Sequence, residues 1–340
     1  MASPPGHGRR IGWVFAALLV GLVVMACLSL FAGRLGFSVR DTLAALLGRD
    51  GPDAATIVPV ILHIRVPRIL AAIVLGGVLA LAGNVYQIAF RNYLVSQDIL
   101  GVSTGAAVGA AAAIIAGQSA VLIQAGAFVG GLASIAITVG LAAAFRRADQ
   151  TLSLILAGIL TAGFMTSGLG LLKYLADPDT QLQAIVFWTL GGLSSVTLAQ
   201  LASIAAPVLV CTVVLLLLRW RLTLFAFDDA EALSLGTNIR LLRYVAILAA
   251  TLLIASVVSV AGTIGWIGLV IPQISRLVCG SDGRHVLPLS LVIGALFLLV
   301  IDTASRQFFA ADIPIGIFTG FIGTPVFVAA LVYRFVRRPA

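Results

Sequence analysis

Residues 262–280 read GTIGWIGLVIPQISRLVCG. The run is apolar enough to enter a bilayer, yet it holds four glycines and a proline, with an arginine at 276. A stable spanning helix wants about 20 apolar residues with few interruptions, so length alone does not decide whether this run crosses. Working outward, nine longer apolar runs fall at about 11–33, 66–88, 98–117, 119–145, 152–175, 197–219, 241–263, 286–302 and 313–335. Lysine and arginine concentrate on the cytoplasmic side of membrane proteins. With 262–280 counted as a tenth, short span and the N-terminus inside, 14 of the 21 basic residues lie inside and 7 outside. If the run does not cross, everything after it flips and the basic tail Arg334, Arg337 and Arg338 lands outside. The charge pattern therefore requires the broken stretch to cross. It predicts an all-α polytopic membrane protein of about ten transmembrane helices.

Composition agrees. The chain is 61% hydrophobic and 10% charged, with a mean hydropathy of +1.13, whereas soluble domains carry about 25% charged residues. The net charge of +8 is spread over helix ends rather than gathered in a block, which points to topology and membrane lipid and not to nucleic acid. Cys27, Cys211 and Cys279 are far apart, with neither metal-ligand spacing nor a disulfide framework. The first apolar run follows Arg9 and Arg10 and is longer than the h-region of a cleaved signal, so it reads as an uncleaved first span.

Two polar connections stand out. On the outer side, residues 34–64 hold FSVRDTLAALLGRDGPD, a short surface helix opened by Ser38 and closed by Gly48. On the inner side, residues 219–243 read RWRLTLFAFDDAEALSLGTNIRLLR. Their middle predicts a two-turn helix with Asp228 and Glu231 early, which suits the helix dipole, and Gly236 as its cap. Small residues crowd 101–117 and 126–144, which lets membrane helices approach closely.

What is missing narrows the function. No spanning segment holds paired carboxylates or a histidine cluster, and Asp302 is the one acid near a span interior. Ion-coupled carriers place ionisable groups at membrane depth, so a stand-alone secondary transporter is the weaker reading. No phosphate loop of the Gly-x-x-x-x-Gly-Lys-Ser/Thr type occurs, and no catalytic constellation supports an enzyme. Driven transport would draw its energy from another subunit. Outer arginines in RVPR (Arg65, Arg68) and DTASRQFFAADIPIG (Arg306) run against the charge rule. They read either as helix ends snorkelling or as a cluster awaiting carboxylates, which arginine pairs bidentately.

Four ordered motifs carry a resemblance: IRVPRILAAIVLGGVLALAG, RNYLVSQDILGVSTGA, GTIGWIGLVIPQISRLVCGSDGRHVLP and DTASRQFFAADIPIGIFTGFIGTPVF. In these the chain resembles the permease subunits of type II ATP-binding-cassette importers, the FecCD/BtuC-type family of iron–siderophore, haem and cobalamin uptake. The resemblance implies a single transmembrane permease domain over 1–340, with a cytoplasmic tail at 1–10, a coupling loop at 219–243 and a second cytoplasmic tail at 336–340. It implies a bacterial inner-membrane location with both termini cytoplasmic. The implied partners are a second copy of the chain, two ATP-binding subunits, and a periplasmic or lipid-anchored substrate-binding protein. ATP and magnesium would be bound by the partner subunit, with no cofactor in this chain. The implied cargo is an iron chelate, ferric siderophore or haem, with cobalamin or molybdate as alternatives.

Residue by residue, the resemblance implies that Arg65 and Arg306, supported by Arg68, receive glutamates of the binding protein. Ala232, Leu233, Leu235 and Gly236, with Asp228 and Glu231, match the element seated in the ATPase. Asn92 and Leu94 match a cytoplasmic gate, and Gln150, Thr151 and Leu152 its second constriction. The chain departs from the family pattern at Tyr93 and Gln97, where prolines are usual, at Gln273 for a histidine, and at Asp312 for a glutamate. Gln273 reads as a hydrogen-bonding post near the inner face, and Arg276 as reaching the cytoplasmic surface.

Overall fold

The computed structural model describes residues 7–33, 38, 40–42, 54–96, 98–144, 150–226, 238–280, 282–308 and 313–337. Among these the chain is a bundle of helices. In order they are α1 (His7–Phe31), α2 (Ala54–Val60), α3 (Val66–Ala89), α4 (Val102–Ile115), α5 (Ala120–Ala144) and α6 (Gln150–Leu175). There follow α7 (Gln181–Leu190), α8 (Leu198–Leu222), α9 (Ile239–Ala261), α10 (Ile267–Cys279), α11 (Gly283–Phe308) and α12 (Ile315–Arg337). Eight stretches are long and apolar enough to cross a membrane, and α4 and α10 are shorter apolar helices. This is the all-α polytopic architecture that the hydropathy and charge patterns predict.

Three boundaries differ from the sequence reading. The outer connection expected over 34–64 is helical from Ala54. A π-turn at Ile61–Arg65 joins α2 to α3, so Thr56–Ala89 forms one 34-residue span. Pro59 and Pro67 look like breakers, but Pro67 lies in the first turn of α3, where a missing N–H costs nothing. The run expected over 98–117 is shortened to α4 because Gly101 turns left-handed at φ 73°. The ten-residue α7 is absent from the sequence reading altogether. At Ser38, the Oγ accepts the Asp41 N–H at 3.1 Å, as an opening cap should; the rest of that predicted helix lies outside the described residues.

The bundle has a centre and a rim. The spanning windows of α3, α9 and α11 are 83%, 78% and 67% buried, against 6% for α1. Helix α3 is therefore the post around which α8, α9, α10 and α11 pack. Its contact with α10 is backbone to backbone: a Cβ on Gly83 would sit 2.1 Å from the Gly268 carbonyl oxygen. Close approach through small residues is what membrane helices exploit in place of a hydrophobic drive. Ends are secured locally. Thr197 and Gln200 form a reciprocal capping box at the start of α8, and Asn238 Oδ1 accepts the Leu241 N–H to open α9.

The broken stretch resolves into two parts. Residues 262–266 are unwound, with Gly262 at φ 68° packed so tightly that a Cβ would meet the Trp188 carbonyl oxygen at 2.1 Å. Trp266 also has a positive φ of 68°, a costly state for a bulky residue, and its carbonyl starts α10 by accepting Val270 N–H at 2.8 Å. Gly262 and Gly268 serve close packing, whereas Gly265 faces open space.

Candidate functional site

Two polar clusters break the apolar interior, one at each end of α3. At its N-terminal end, Arg68 Nε donates to Asp302 Oδ1 at 2.6 Å, and both groups are buried. One turn along α11, Arg306 Nε lies 3.1 Å from Asp302 Oδ2, close enough for an ion pair although the N–H does not point at the oxygen. Arg306 also donates to Ser29 Oγ and, at 3.2 Å, to the Ala32 carbonyl, while Arg65 donates to the Leu30 carbonyl. Those oxygens form the C-terminal end of α1, where the helix dipole is negative. Arg65, Arg68 and Arg306 thus converge, as the sequence reading groups them. They are not exposed helix ends, however: all three are buried, and the snorkelling alternative does not describe them. Three guanidiniums gather on one carboxylate and one helix terminus.

At the other end of α3, Asn84 and Gln87 face Gln273 and Arg276 of α10. Arg276 donates to Asn84 Oδ1 at 2.9 Å and to Gln87 Oε1. Asn84 Nδ2 donates to Ser290 Oγ at 2.9 Å, which in turn reaches Ser275 Oγ at 3.0 Å. Gln87 Nε2 donates to the Gly268 carbonyl at 3.2 Å. Arg276 is buried, so it does not reach the surface as the sequence suggested. Burying a guanidinium demands partners for its donors, and the amides of α3 accept from both of its terminal nitrogens. Gln273 does make hydrogen bonds, donating to the Tyr93 carbonyl at 3.0 Å and to Gln87 Oε1 at 3.3 Å.

Beyond Phe90 the chain turns sharply, with Arg91 left-handed at φ 49°. Asn92 Oδ1 accepts the Leu94 N–H at 2.9 Å, closing an Asx turn. The Leu94 side chain is 61% exposed, and Leu152, near the start of α6, is half-exposed. The helix α6 includes Gln150 and Thr151, whose side chains lie outside the description. Asp228, Glu231, Ala232, Leu233, Leu235 and Gly236 lie outside the described residues, as do Gln97 and Asp312. Sequence reasoning overlooked Asn84 and Gln87. Their spacing of three, matched by Gln273 and Arg276, puts each pair on one helix face, a signal available without coordinates.

The family model of the FecCD transport family matches residues 21–333. The chain belongs to the FecCD transport family. Among FecCD relatives, it is 36% identical over 328 residues to the molybdate import system permease protein MolB of Haemophilus influenzae, covering 95% of this chain and 96% of that protein. It is 36% identical over 320 residues to the hemin transport system permease protein HmuU of Yersinia pestis, covering 92% of each. Its fold matches a solved chain described as an inward-facing conformation of a metal-chelate type ABC transporter. That match has a TM-score of 0.84 at 35% identity and covers 95% of this chain and 99% of the other.

Proposed function

We propose that this chain is the membrane-embedded permease of an ATP-driven importer and carries an iron chelate, ferric siderophore or haem, into the cytoplasm. The observation that carries the reading is kinship along the whole chain, from residue 21 to 333, with a family of transporters. The permease would work as two copies around one pathway, on two ATP-hydrolysing subunits that bind the nucleotide and magnesium, so this chain is itself no enzyme. Helix α6 suits a pathway wall: most of its exposed side chains, Leu156, Leu160 and Phe164 among them, are apolar, and the exposed Thr166 and Ser167 hydroxyls donate to carbonyls of their own helix, so it would offer a large chelate few polar groups to catch on. The arginine cluster of Arg65, Arg68 and Arg306 would lie on the outer side as the seat of the binding protein. The segment holding Asp228, Glu231, Ala232, Leu233, Leu235 and Gly236 would seat in the ATPase, and Asn92, Leu94, Gln150, Thr151 and Leu152 would close the inner end. Both termini would be cytoplasmic, in the inner membrane of a bacterium.

Molybdate is a second reading, favoured by the molybdate permease of Haemophilus influenzae that aligns over 95% of this chain. Uptake into proteoliposomes separates the cargoes. The permease is reconstituted with its ATPase and offered radiolabelled ferric siderophores, haem, cobalamin and molybdate through the binding protein. ATP-dependent accumulation of an iron chelate is expected. Accumulation of molybdate alone transfers the assignment to the second reading, and accumulation that proceeds without ATP refutes the importer.

A further inference from the structure

The polar cluster at the C-terminal end of α3 does more than satisfy a buried arginine, because the loop that follows is fastened from two sides. On one side, Arg91 Nε donates to the Phe225 carbonyl at 2.6 Å. Phe225 belongs to a 3₁₀ turn, Thr223–Ala226, directly after α8. Its ring is almost fully buried and lies 5.5 Å from the Arg243 guanidinium of α9, so the turn is itself held. On the other side, Tyr93 is gripped twice by α10. Its carbonyl accepts from Gln273 at 3.0 Å, and its ring lies 4.7 Å from the Arg276 guanidinium, within cation–π range. Between these two anchors the backbone adopts a left-handed state at Arg91 that a β-carbon disfavours. A non-glycine residue persists there only when its surroundings over-determine it.

We infer that Arg91 and Tyr93 are positioning residues of the inner gate: they fasten the 91–96 loop to the end of α8 and to α10, so that Asn92 and Leu94 move only when those helices move. The inference rests on the permease reading, which places Asn92 and Leu94 at the gate. The effect of the two anchors is to convert a loop, which would otherwise sample many conformations, into an extension of two helices. The chain leaves the Phe225 turn toward the segment proposed to meet the ATPase, so the Arg91 bond links that side of the protein to the loop. Tyr93 stands where the family pattern has a proline. A proline stiffens a loop through its own ring, whereas here stiffness is supplied by contacts with α10.

The test uses the full complex in nanodiscs, with Arg91→Ala, Tyr93→Ala and the conservative Arg91→Lys. Amide hydrogen exchange over 91–96 reads the clamp, and ATP hydrolysed per cargo imported reads the gate. Loss of a charge-assisted hydrogen bond shifts a local opening equilibrium by about tenfold or more. Exchange over 91–96 is therefore expected to quicken by about that factor in Arg91→Ala, with peptides of α3 and α10 unchanged, and Arg91→Lys to restore part of the protection. The ATP consumed per cargo should rise severalfold while ATPase activity and complex yield hold. Unchanged exchange in both alanine variants overturns the clamp. Faster exchange with wild-type ATP stoichiometry overturns the role in gating. A wild-type complex that hydrolyses ATP and imports nothing refutes the permease reading, and with it the gate, while the exchange arm still judges the clamp.

Discussion

Replacing Asp302 by alanine removes the only carboxylate described between Arg68 and Arg306. The structure sets the size of the effect. Asp302 has no exposed surface, one oxygen lies 2.6 Å from Arg68 and the other 3.1 Å from Arg306. Removing one member of a buried pair costs about 3–5 kcal/mol, because the remaining charge stays in low dielectric without its partner. Here one carboxylate serves two guanidiniums, so the upper half of that range is expected. At ~1.4 kcal/mol per decade this is a loss of about three decades or somewhat more in the folding equilibrium. Asp302→Asn keeps the shape and an acceptor and should lose about 2 kcal/mol. Replacing the three side chains together, Arg68→Leu, Asp302→Leu and Arg306→Leu, should recover much of the stability, since apolar substitutes for a buried triad are often neutral. Unfolding in mixed micelles with rising detergent denaturant, followed by tryptophan fluorescence, measures all three. Asp302→Ala within ~0.5 kcal/mol of wild type, below the cost of any broken buried pair, would refute the reasoning. If the triple variant is folded yet fails to import, the triad is retained for docking and not for stability.

Gly83→Ala would place a Cβ 2.1 Å from the Gly268 carbonyl oxygen. Because a backbone oxygen cannot rotate away, the cost should reach about 3 kcal/mol or more, read as a fall in folded yield; unaffected yield and thermal stability would contradict the backbone contact. Leu235→Glu with Gly236→Arg is expected to abolish uptake while ATP hydrolysis continues, and cargo-stimulated hydrolysis with normal uptake would remove the coupling assignment. Asp177 caps the turn before α7, accepting from the Thr180 hydroxyl at 2.8 Å and the Thr180 N–H at 2.9 Å. These bonds hold its carboxyl below the ordinary 3.8. A depressed folded pKa means the contribution is intact above the unfolded value and is lost only as pH falls through the folded one. A fluorescent probe at an Asp179→Cys site should report loosening below the ordinary carboxylate value and none between pH 5 and 8; Asp177→Asn should erase the transition.

Much of this fold is legible in the chain because lipid enforces a simple code. Length and hydropathy mark the long helices, and for the short α10, which hydropathy leaves open, the side preference of arginine predicts a crossing. What escaped was short or distant. The ten-residue helix α7 is too brief to register as a span, and its apolar run follows directly on polar residues at 177–181. The helical start at Ala54 is masked by prolines that a π-turn absorbs. At the sites, the grouping of Arg65, Arg68 and Arg306 is readable from motif resemblance, but their burial on the end of α1 is not. The carbonyls of residues 30 and 32 carry no sequence signal. Nor does the Arg91 bond, which ends on a backbone oxygen 134 positions away. Side chains that pair with side chains leave a periodic trace, as Asn84 and Gln87 do, whereas side chains that pair with backbone leave none.

Helix α3 is nailed at both ends. Arg68 is fixed to α11 near its start, and Gln87 and the Arg91 loop are fixed to α10 and the α8 turn at its finish. The helical stretch from 68 to 89 rises about 32 Å at 1.5 Å per residue, a full hydrocarbon thickness of about 30 Å. Adding or removing one residue would turn one set of contacts by about 100° against the other, and no side-chain adjustment could reconcile them. The length of this helix therefore behaves as a fixed gauge. The count of residues along α3 is expected to be held fixed, and an insertion there should be harder to tolerate than almost any single substitution.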